Sequence, residues 1–266
     1  AAAGHVLSVT DSFACGRICF ASAVPVAWMD GIDLATGEPA PVLGARLLTA
    51  TPAGGLFPEI EFRLATTLAT NALLEGTGAK TALFITQGFT DLPEIGDQRR
   101  EDLFALGHFR EPSLLHAVVE VDARMDADGG ILTPLDEEAV LRAAGELAAA
   151  GCRSAAVALM HADVNSAHEN AVAALLLQAG FTSVSQSSVL APVIRLLPRT
   201  QTAVVNAVLA PVMDAFVRSV REPLAGSVRK FYLMASSGGL EEPENFHPRD
   251  SLLSGPAGGV RSHQPR

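Results

Sequence analysis

Basic residues are scarce in this 266-residue chain: 19 Lys and Arg stand against 29 Asp and Glu, a net charge of −10. Nucleic-acid phosphates are bound by clustered cations, and without them a nucleic-acid partner is excluded. Long apolar runs are also missing. No stretch reads as the roughly 18 residues of a membrane span, and AAAGHVLSV at the start lacks the basic end and long apolar core of a secretory signal. A cytoplasmic protein without a membrane partner is the expectation. The sequence opens without Met, so its first residue is not expected to be the natural beginning. Three cysteines, Cys15, Cys19 and Cys152, make an odd number with no paired framework, which suits reduced thiols. Cys15 and Cys19 have no complementary pair of ligands, so no metal site is expected. Internal repeats and low-complexity tracts are absent too. What is abundant is apolar content, 48% against 18% charged residues, which marks a globular chain. Its length suffices for one large α/β domain or two smaller ones.

Residues 1–58 are broken by turn signals such as DGIDLATGEPAP and TPAGGLFP. Beyond Pro58 strands and helices alternate. IEFRL (60–64) reads as a strand, TTLATNALLEG as a helix and KTALFIT as a second, buried strand. HAVVEVDARM (116–125) reads as another strand. Asp126 and Asp128 look like half a calcium loop, but no ligand follows at the fifth position, and a tight turn at Asp128-Gly129 is favoured. TPLDEEAVLRAAGELAAAG reads as an amphipathic helix capped by Thr133, with Pro134 in its first position. RSAAVALM (153–160) is a buried strand, SAHENAVAALLLQAG a helix, FTSVSQSS a strand, and VRKFYLMA (228–235) a further strand. A helical pattern over 199–222 contains Pro211, where a kink or break is expected. The alternation predicts an α/β fold in which 60–64, 80–86 and 153–160 are core strands of a mixed sheet, with helices on both faces.

Several groups carry candidate chemistry. Thr66 and Thr67 stand where a strand hands over to a helix, at the strand ends where open α/β sheets bind ligands; a simple helix cap explains one of them equally well. GDQRREDLF gathers Gln98, Arg99, Arg100 and Asp102, and Arg suits a bidentate carboxylate or phosphate contact. The alternative is a solvated, salt-bridged loop. His161 ends a buried strand, and His168 and Glu169 follow it closely. Ser166 and Glu169, however, match S-x-x-E, a capping box, which leaves His161 as the better functional candidate. SSGGL (236–240) and SGPAGGV (254–260) are able to bring backbone amides near a phosphate, although neither matches a standard phosphate-loop pattern.

These pieces fall into one order. ATTLATNALLEGTGAKTALFITQGFTDLPEIGDQRREDLF resembles the hydantoinase A/5-oxoprolinase family, which reads G-T-T-x-A-T-N-A-L-L-E, then G-F-x-D and I-G-x-Q-x-R-x-D-L-F. VDARMDADGGILTPLDEE, HADVNSAHE (family N-P-x-H-E), MASSGGL and LLSGPAGGV follow in the family's order, over residues 60–260. The resemblance implies an actin-like, hexokinase-like ATPase fold and ATP-dependent opening of a cyclic amide: 5-oxoproline to glutamate, with the ring amide activated by phosphorylation. Relatives that open N-methylhydantoin, subunits of ketone carboxylases and a catalytically inert binding or assembly chain are the alternatives.

By the same resemblance, His161 and Asn165 are catalytic, and Thr66, Thr67, Asn71, Gln98 and Arg100 bind substrate. Gly238, Gly239, Ser254, Gly255 and Gly258 approach the nucleotide. ATP with Mg²⁺ is the implied cofactor, a hydantoinase B-type domain or subunit the implied partner, and a homo-oligomer is possible. Residues 1–195 correspond to the family's N-terminal region and 196–266 to the start of its second domain. The family's two phosphate loops, D-x-G-G-T-F-T-D and D-M-G-G-T-S-T-D, are absent, so the isolated chain is expected to be inactive. Ala65 replaces a Gly, acceptable where φ is negative, and Ser166 replaces a Pro.

Overall fold

Thr81–Thr86, six residues buried without exception, form an inner strand of the four-stranded sheet. The computed structural model describes residues 8–9, 20–21, 37–98, 104 and 113–262. In chain order the strands are β1 (Ser8–Val9), β2 (Phe20–Ala21), β3 (Ile60–Leu64), β4 (Thr81–Thr86), β5 (Ala117–Val121), β6 (Arg124–Met125), β7 (Ile131–Thr133), β8 (Ser154–Ala158), β9 (Ser183–Gln186), β10 (Val228–Met234) and β11 (Leu240–Glu241). The helices are α1 (Ala40–Thr49), α2 (Leu68–Leu74), α3 (Leu92–Ile95), α4 (Glu137–Ala149), α5 (Ala167–Gln178), α6 (Ser187–Leu190), α7 (Leu196–Arg221) and α8 (Ser254–Ser262). The chain divides into two compact units, residues 1–64 with 216–233, and 65–215 with 234–266.

In the second unit β5, β4, β8 and β9 lie side by side in that order, all parallel. Alternate residues of β4 serve opposite faces, as a strand requires. Ala82 and Phe84 pack with Val140, Ala144, Val172 and Leu176 of α4 and α5. Leu83 and Ile85 pack with Ala203, Val204, Ala207 and Val208 of α7. Burial on both faces is why β4 and β8 are continuous apolar runs rather than alternating ones. Helix α2 adds Ala69 and Ala72 against Leu209 and Met213 of α7. In the first unit β3 pairs with β10 in parallel, with Phe62 stacked on Phe231 at 5.4 Å between ring centres.

Several expectations change. Strand 60–64 does not share the sheet of 80–86 and 153–160; it alternates in burial and pairs with β10. The core sheet is parallel rather than mixed. The stretch 116–125 is two strands, because β6 turns back on β7 around the Asp126–Gly130 turn. There Asp126 Oδ1 accepts from the Asp128 and Gly130 amides, and Gly129 has φ +85°, so the tight-turn reading holds. Asp136, not Thr133, caps α4: its Oδ1 accepts from the Ala139 amide at 3.0 Å, and Thr133 is in β7.

Helix α7 continues through Pro211. Proline cannot donate to the carbonyl four residues back. That carbonyl belongs to Ala207, and the buried Ser154 hydroxyl donates to it at 2.6 Å. The proline is thus tolerated because the sheet supplies the missing donor. The run Leu196–Leu224 is long and apolar enough by composition to cross a membrane, contrary to the reading of the bare sequence. Half of its most apolar window is buried, and the fully buried Arg199 is paired inside it, which identifies a core helix.

Candidate functional site

The chain leaves β3 at Leu64 and turns into α2 through Ala65, Thr66 and Thr67. Thr66 Oγ1 accepts from the Leu68 amide at 3.1 Å, so Thr66 satisfies the helix start. Thr67, at the N-cap position and exposed, makes no side-chain cap bond. Its hydroxyl is therefore not committed to capping. Asn71 is exposed one turn along α2. Ala65 is not among the residues with positive φ, so its side chain is unstrained.

Distant sequence reaches this turn. Ser254 Oγ donates to the Thr66 carbonyl at 2.8 Å and accepts from the Thr66 amide at 3.4 Å. The Thr70 hydroxyl donates to the Leu252 carbonyl. A Cβ at Gly255 would come within 2.6 Å of Thr67 Cγ2, and one at Gly258 within 2.6 Å of Ala65 Cβ. The Ser236 hydroxyl donates to the Asp250 carbonyl at 2.6 Å and accepts from the Leu253 amide at 2.9 Å, which ties the SSGGL loop to the start of α8. Thr66, Thr67, Ser254, Gly255 and Gly258 are thereby one assembly.

The glycine loops differ in what they offer an anion. Gly238 has φ +81°, its amide donates to the Ala235 carbonyl at 2.9 Å, and the Gly239 amide donates to Ser237 Oγ at 3.3 Å. Both amides are held within their own turn. In the first turn of α8, Pro256 has no amide hydrogen and the Ala257 amide donates to the Leu253 carbonyl at 3.1 Å, so only the Ser254 and Gly255 amides are candidates for an anion. Among the described residues no group of three or more His, Cys, Asp or Glu is suited to a metal ion, so no Mg²⁺ ligands are assigned here.

His161 lies just beyond β8 in the left-handed conformation, φ +58°. Non-glycine residues rarely adopt it, and such strain concentrates at functional sites. Its carbonyl accepts from the Val164 and Asn165 amides at 3.0 Å each. Asn165 Nδ2 donates to the Gly129 carbonyl at 2.8 Å, and its Oδ1 accepts from the Ala167 amide at 3.0 Å. Asn165 therefore joins the Asp126–Gly130 turn to the start of α5. Gln98, also at φ +58°, is exposed in the loop after α3. Arg99, Arg100 and Asp102 lie outside the described residues, as do Cys15 and Cys19. Among the described residues no hydrogen bond joins the His161 turn to the Thr66–Ser254 assembly.

The capping box of Ser166 and Glu169 does not form: Ser166 makes no side-chain cap bond and Glu169 is fully buried. Glu169 instead accepts from the Leu159 amide (2.8 Å), Ser187 Oγ (2.6 Å) and the Ser188 amide (2.9 Å). Arg199, equally buried, donates to the Leu159 carbonyl at 2.8 Å and to Ser187 Oγ at 3.0 Å. It approaches Asp163 at 3.5 Å and Glu169 at 3.9 Å. The pair grips both polar groups of Leu159, two residues before His161. Arg199 was not singled out from sequence. Its signal was present: one arginine in an apolar helical run, on the same face as Ala203 and Ala207.

Known proteins share this arrangement of segments. Residues 48–180 match the hydantoinase/oxoprolinase N-terminal region and 199–265 the hydantoinase/oxoprolinase domain. 5-oxoprolinase 1 of Arabidopsis thaliana is 35% identical, over 86% of this chain and 20% of its own length. The caprolactamase subunit alpha of Pseudomonas jessenii is 31% identical, over 72% of this chain and 29% of its own. The crystal structure of the ATP-dependent caprolactamase from Pseudomonas jessenii superposes with a TM-score of 0.68 at 27% identity, over 94% of this chain and 37% of that one. Parallel sheet, flanking helices and this likeness are consistent with the actin-like ATPase fold. The chain spans about a fifth of the length of the 5-oxoprolinase it matches. By sequence over both of its regions, and by fold, the chain belongs to the hydantoinase/oxoprolinase family.

Proposed function

We propose that this chain is the substrate-side part of a larger, ATP-dependent hydrolase of cyclic amides, with 5-oxoproline, opened to glutamate, as substrate. The observation that carries the reading is the bonding of Ser254 to both the amide and the carbonyl of Thr66, which joins the ATTLATN and SGPAGG segments. It is supported by relatives whose names are 5-oxoprolinase and caprolactamase. Residues 1–195 act as the N-terminal region and 196–266 as the beginning of the second domain.

A cyclic amide with a carboxylate presents one N–H, one carbonyl and one anion. Thr66, Thr67 and Asn71 offer polar contacts to the ring, while Gln98 and Arg100 orient the carboxylate. His161 handles the proton of the attacking water, and Asn165 holds its turn. Ser254, Gly255 and Gly258 belong to the α8 start that faces the nucleotide, with Gly238 and Gly239 in the adjoining loop. ATP, when bound with Mg²⁺, supplies the phosphoryl group that activates the amide. A hydantoinase B-type domain or subunit completes the enzyme, in a cytoplasmic assembly in which copies of the chain associate.

The test uses the full-length protein with ATP and, in parallel, 5-oxoproline, N-methylhydantoin and caprolactam. Glutamate and ADP released together from 5-oxoproline is the expected result. Turnover of N-methylhydantoin or caprolactam instead would move the substrate, and ATP cleavage with no amide opened would overturn the reading.

A further inference from the structure

We propose that helix α8 is a positioning element for the Thr66–Thr67 turn, and that Gly255 and Gly258 are glycines because of what they touch on the protein side. The inference rests on the role given above to Thr67 as a substrate contact.

Gly255 and Gly258 are three residues apart in a helix and so share a face. Neither has positive φ, so no backbone conformation demands glycine at either position. Glycine is also a poor helix former. The requirement is steric: at both positions a Cβ would stand 2.6 Å from carbon atoms of the turn, Thr67 Cγ2 and Ala65 Cβ respectively. Ser254, at the start of the same helix, holds the Thr66 peptide by its amide and its carbonyl. Three successive turn residues are thus fixed by one helix end: Ala65 by contact, Thr66 by hydrogen bonds and Thr67 by its methyl group.

The last contact has a chemical consequence. A β-branched side chain is stiff at χ1, and its two branches move together. Packing the Thr67 methyl against Gly255 therefore sets the direction of its hydroxyl. Ser254, Gly255 and Gly258 act through Thr67 and are positioning residues.

Two compensating pairs test this in the full-length protein. Gly258→Ala should speed amide hydrogen exchange at Thr66 and Leu68 about fivefold to a hundredfold, the range expected for overpacking. Ala65→Gly, by removing the opposing Cβ, should recover most of that protection. Gly255→Ala should do the same, with protection recovered by Thr67→Ser, which deletes the obstructing methyl. Kinetics then separates positioning from mere stability. Gly255→Ala with Thr67→Ser should keep the KM for the cyclic amide raised about tenfold, since the serine hydroxyl rotates freely, a larger change than the one in kcat. Losses that simply add within both pairs would overturn the docking. Recovery of KM together with protection would overturn the positioning of the hydroxyl. A full-length protein that opens no cyclic amide at all would refute the proposed function and with it the role of Thr67, while the exchange measurements would still decide whether α8 docks on the turn.

Discussion

Among the described residues each compact unit buries one arginine, and the two are held differently. Arg46, on α1, meets both oxygens of Glu38 through Nε (2.9 and 2.7 Å) and one through Nη2 (2.7 Å). Its Nη1 donates to the carbonyls of Pro52 and Gly55, and the guanidinium stacks over Phe57. These hydrogen-bond partners lie within nine residues of it. Arg199 instead bonds to residues 12 and 40 positions away, its carboxylate neighbours are at 3.5 and 3.9 Å, and its Nε has no hydrogen-bond partner among the described residues. Arg46 staples a local loop whose partners all lie within residues 38–57. Arg199 is satisfied only once β8, α5, α6 and α7 have assembled. One is a local fastening; the other depends on the whole sheet.

The contrast breaks most severely at Arg199. Arg199→Ala leaves Glu169 buried without its cation, and removal of one partner of a buried pair costs about 3–5 kcal/mol. Urea unfolding should register that loss. Arg199→Met with Glu169→Gln should regain much of it, because replacing both charges spares the desolvation penalty. A loss below about 1 kcal/mol for Arg199→Ala would mean the pair does not secure the strand end.

Arg46→Lys keeps the charge but removes the planar fork, at about 1.5–3 kcal/mol, the scale of charge-assisted hydrogen bonds. Here the damage should stay local. Exchange should quicken over 38–57 while β4 and β8 stay protected. Loss of protection in both regions would erase the distinction between the two arginines.

A smaller effect is expected at Ser154. Ser154→Ala leaves the Ala207 carbonyl without its donor, a penalty of about 1–3 kcal/mol. Pro211→Ala restores a helical N–H, so the same serine substitution should then be nearly neutral in thermal melts. An unchanged penalty in that background would show that the hydroxyl does not stand in for the missing helix bond.

The pH dependence should be the mildest and should also separate the regions. Burial pulls the His168 imidazole below its ordinary pKa of 6.5. The unfolded chain then takes up the proton first, so stability is full above about pH 6.5 and declines as pH falls below it. The Arg46 hydrogen bonds hold the Glu38 carboxyl below its ordinary 4.5, so its contribution fades only as pH falls below about 4.5. In His168→Phe the upper component should vanish from the stability profile while the lower one remains. Persistence of the upper component would assign it to another group.

Much of the fold was legible because its signals are local. The apolar runs TALFIT and SAAVA announced strands buried on both faces, and the tight turn at Asp128-Gly129 followed from turn chemistry. Pairing was less legible. IEFRL alternates in burial, which identifies a half-buried strand but not its neighbour, and its partner β10 lies far away in sequence. The capping reading of Glu169 failed for a related reason. S-x-x-E describes a local bond, and the buried cation and hydroxyl that compete for the carboxylate come from segments the motif does not include.

By itself, the sequence determined the family, the strand–helix alternation and the identity of the polar groups at strand ends, since these depend on motif order, periodicity and short-range sterics. Tertiary structure alone decided which of those groups meet. Ser254 reaches Thr66 across 188 residues, Ser154 completes a helix it does not belong to, and Glu169 and Arg199 find each other in the core. The physical reason is the same each time. A buried polar group or an absent side chain must be matched by whatever packs against it, and chain topology, not sequence proximity, selects that neighbour.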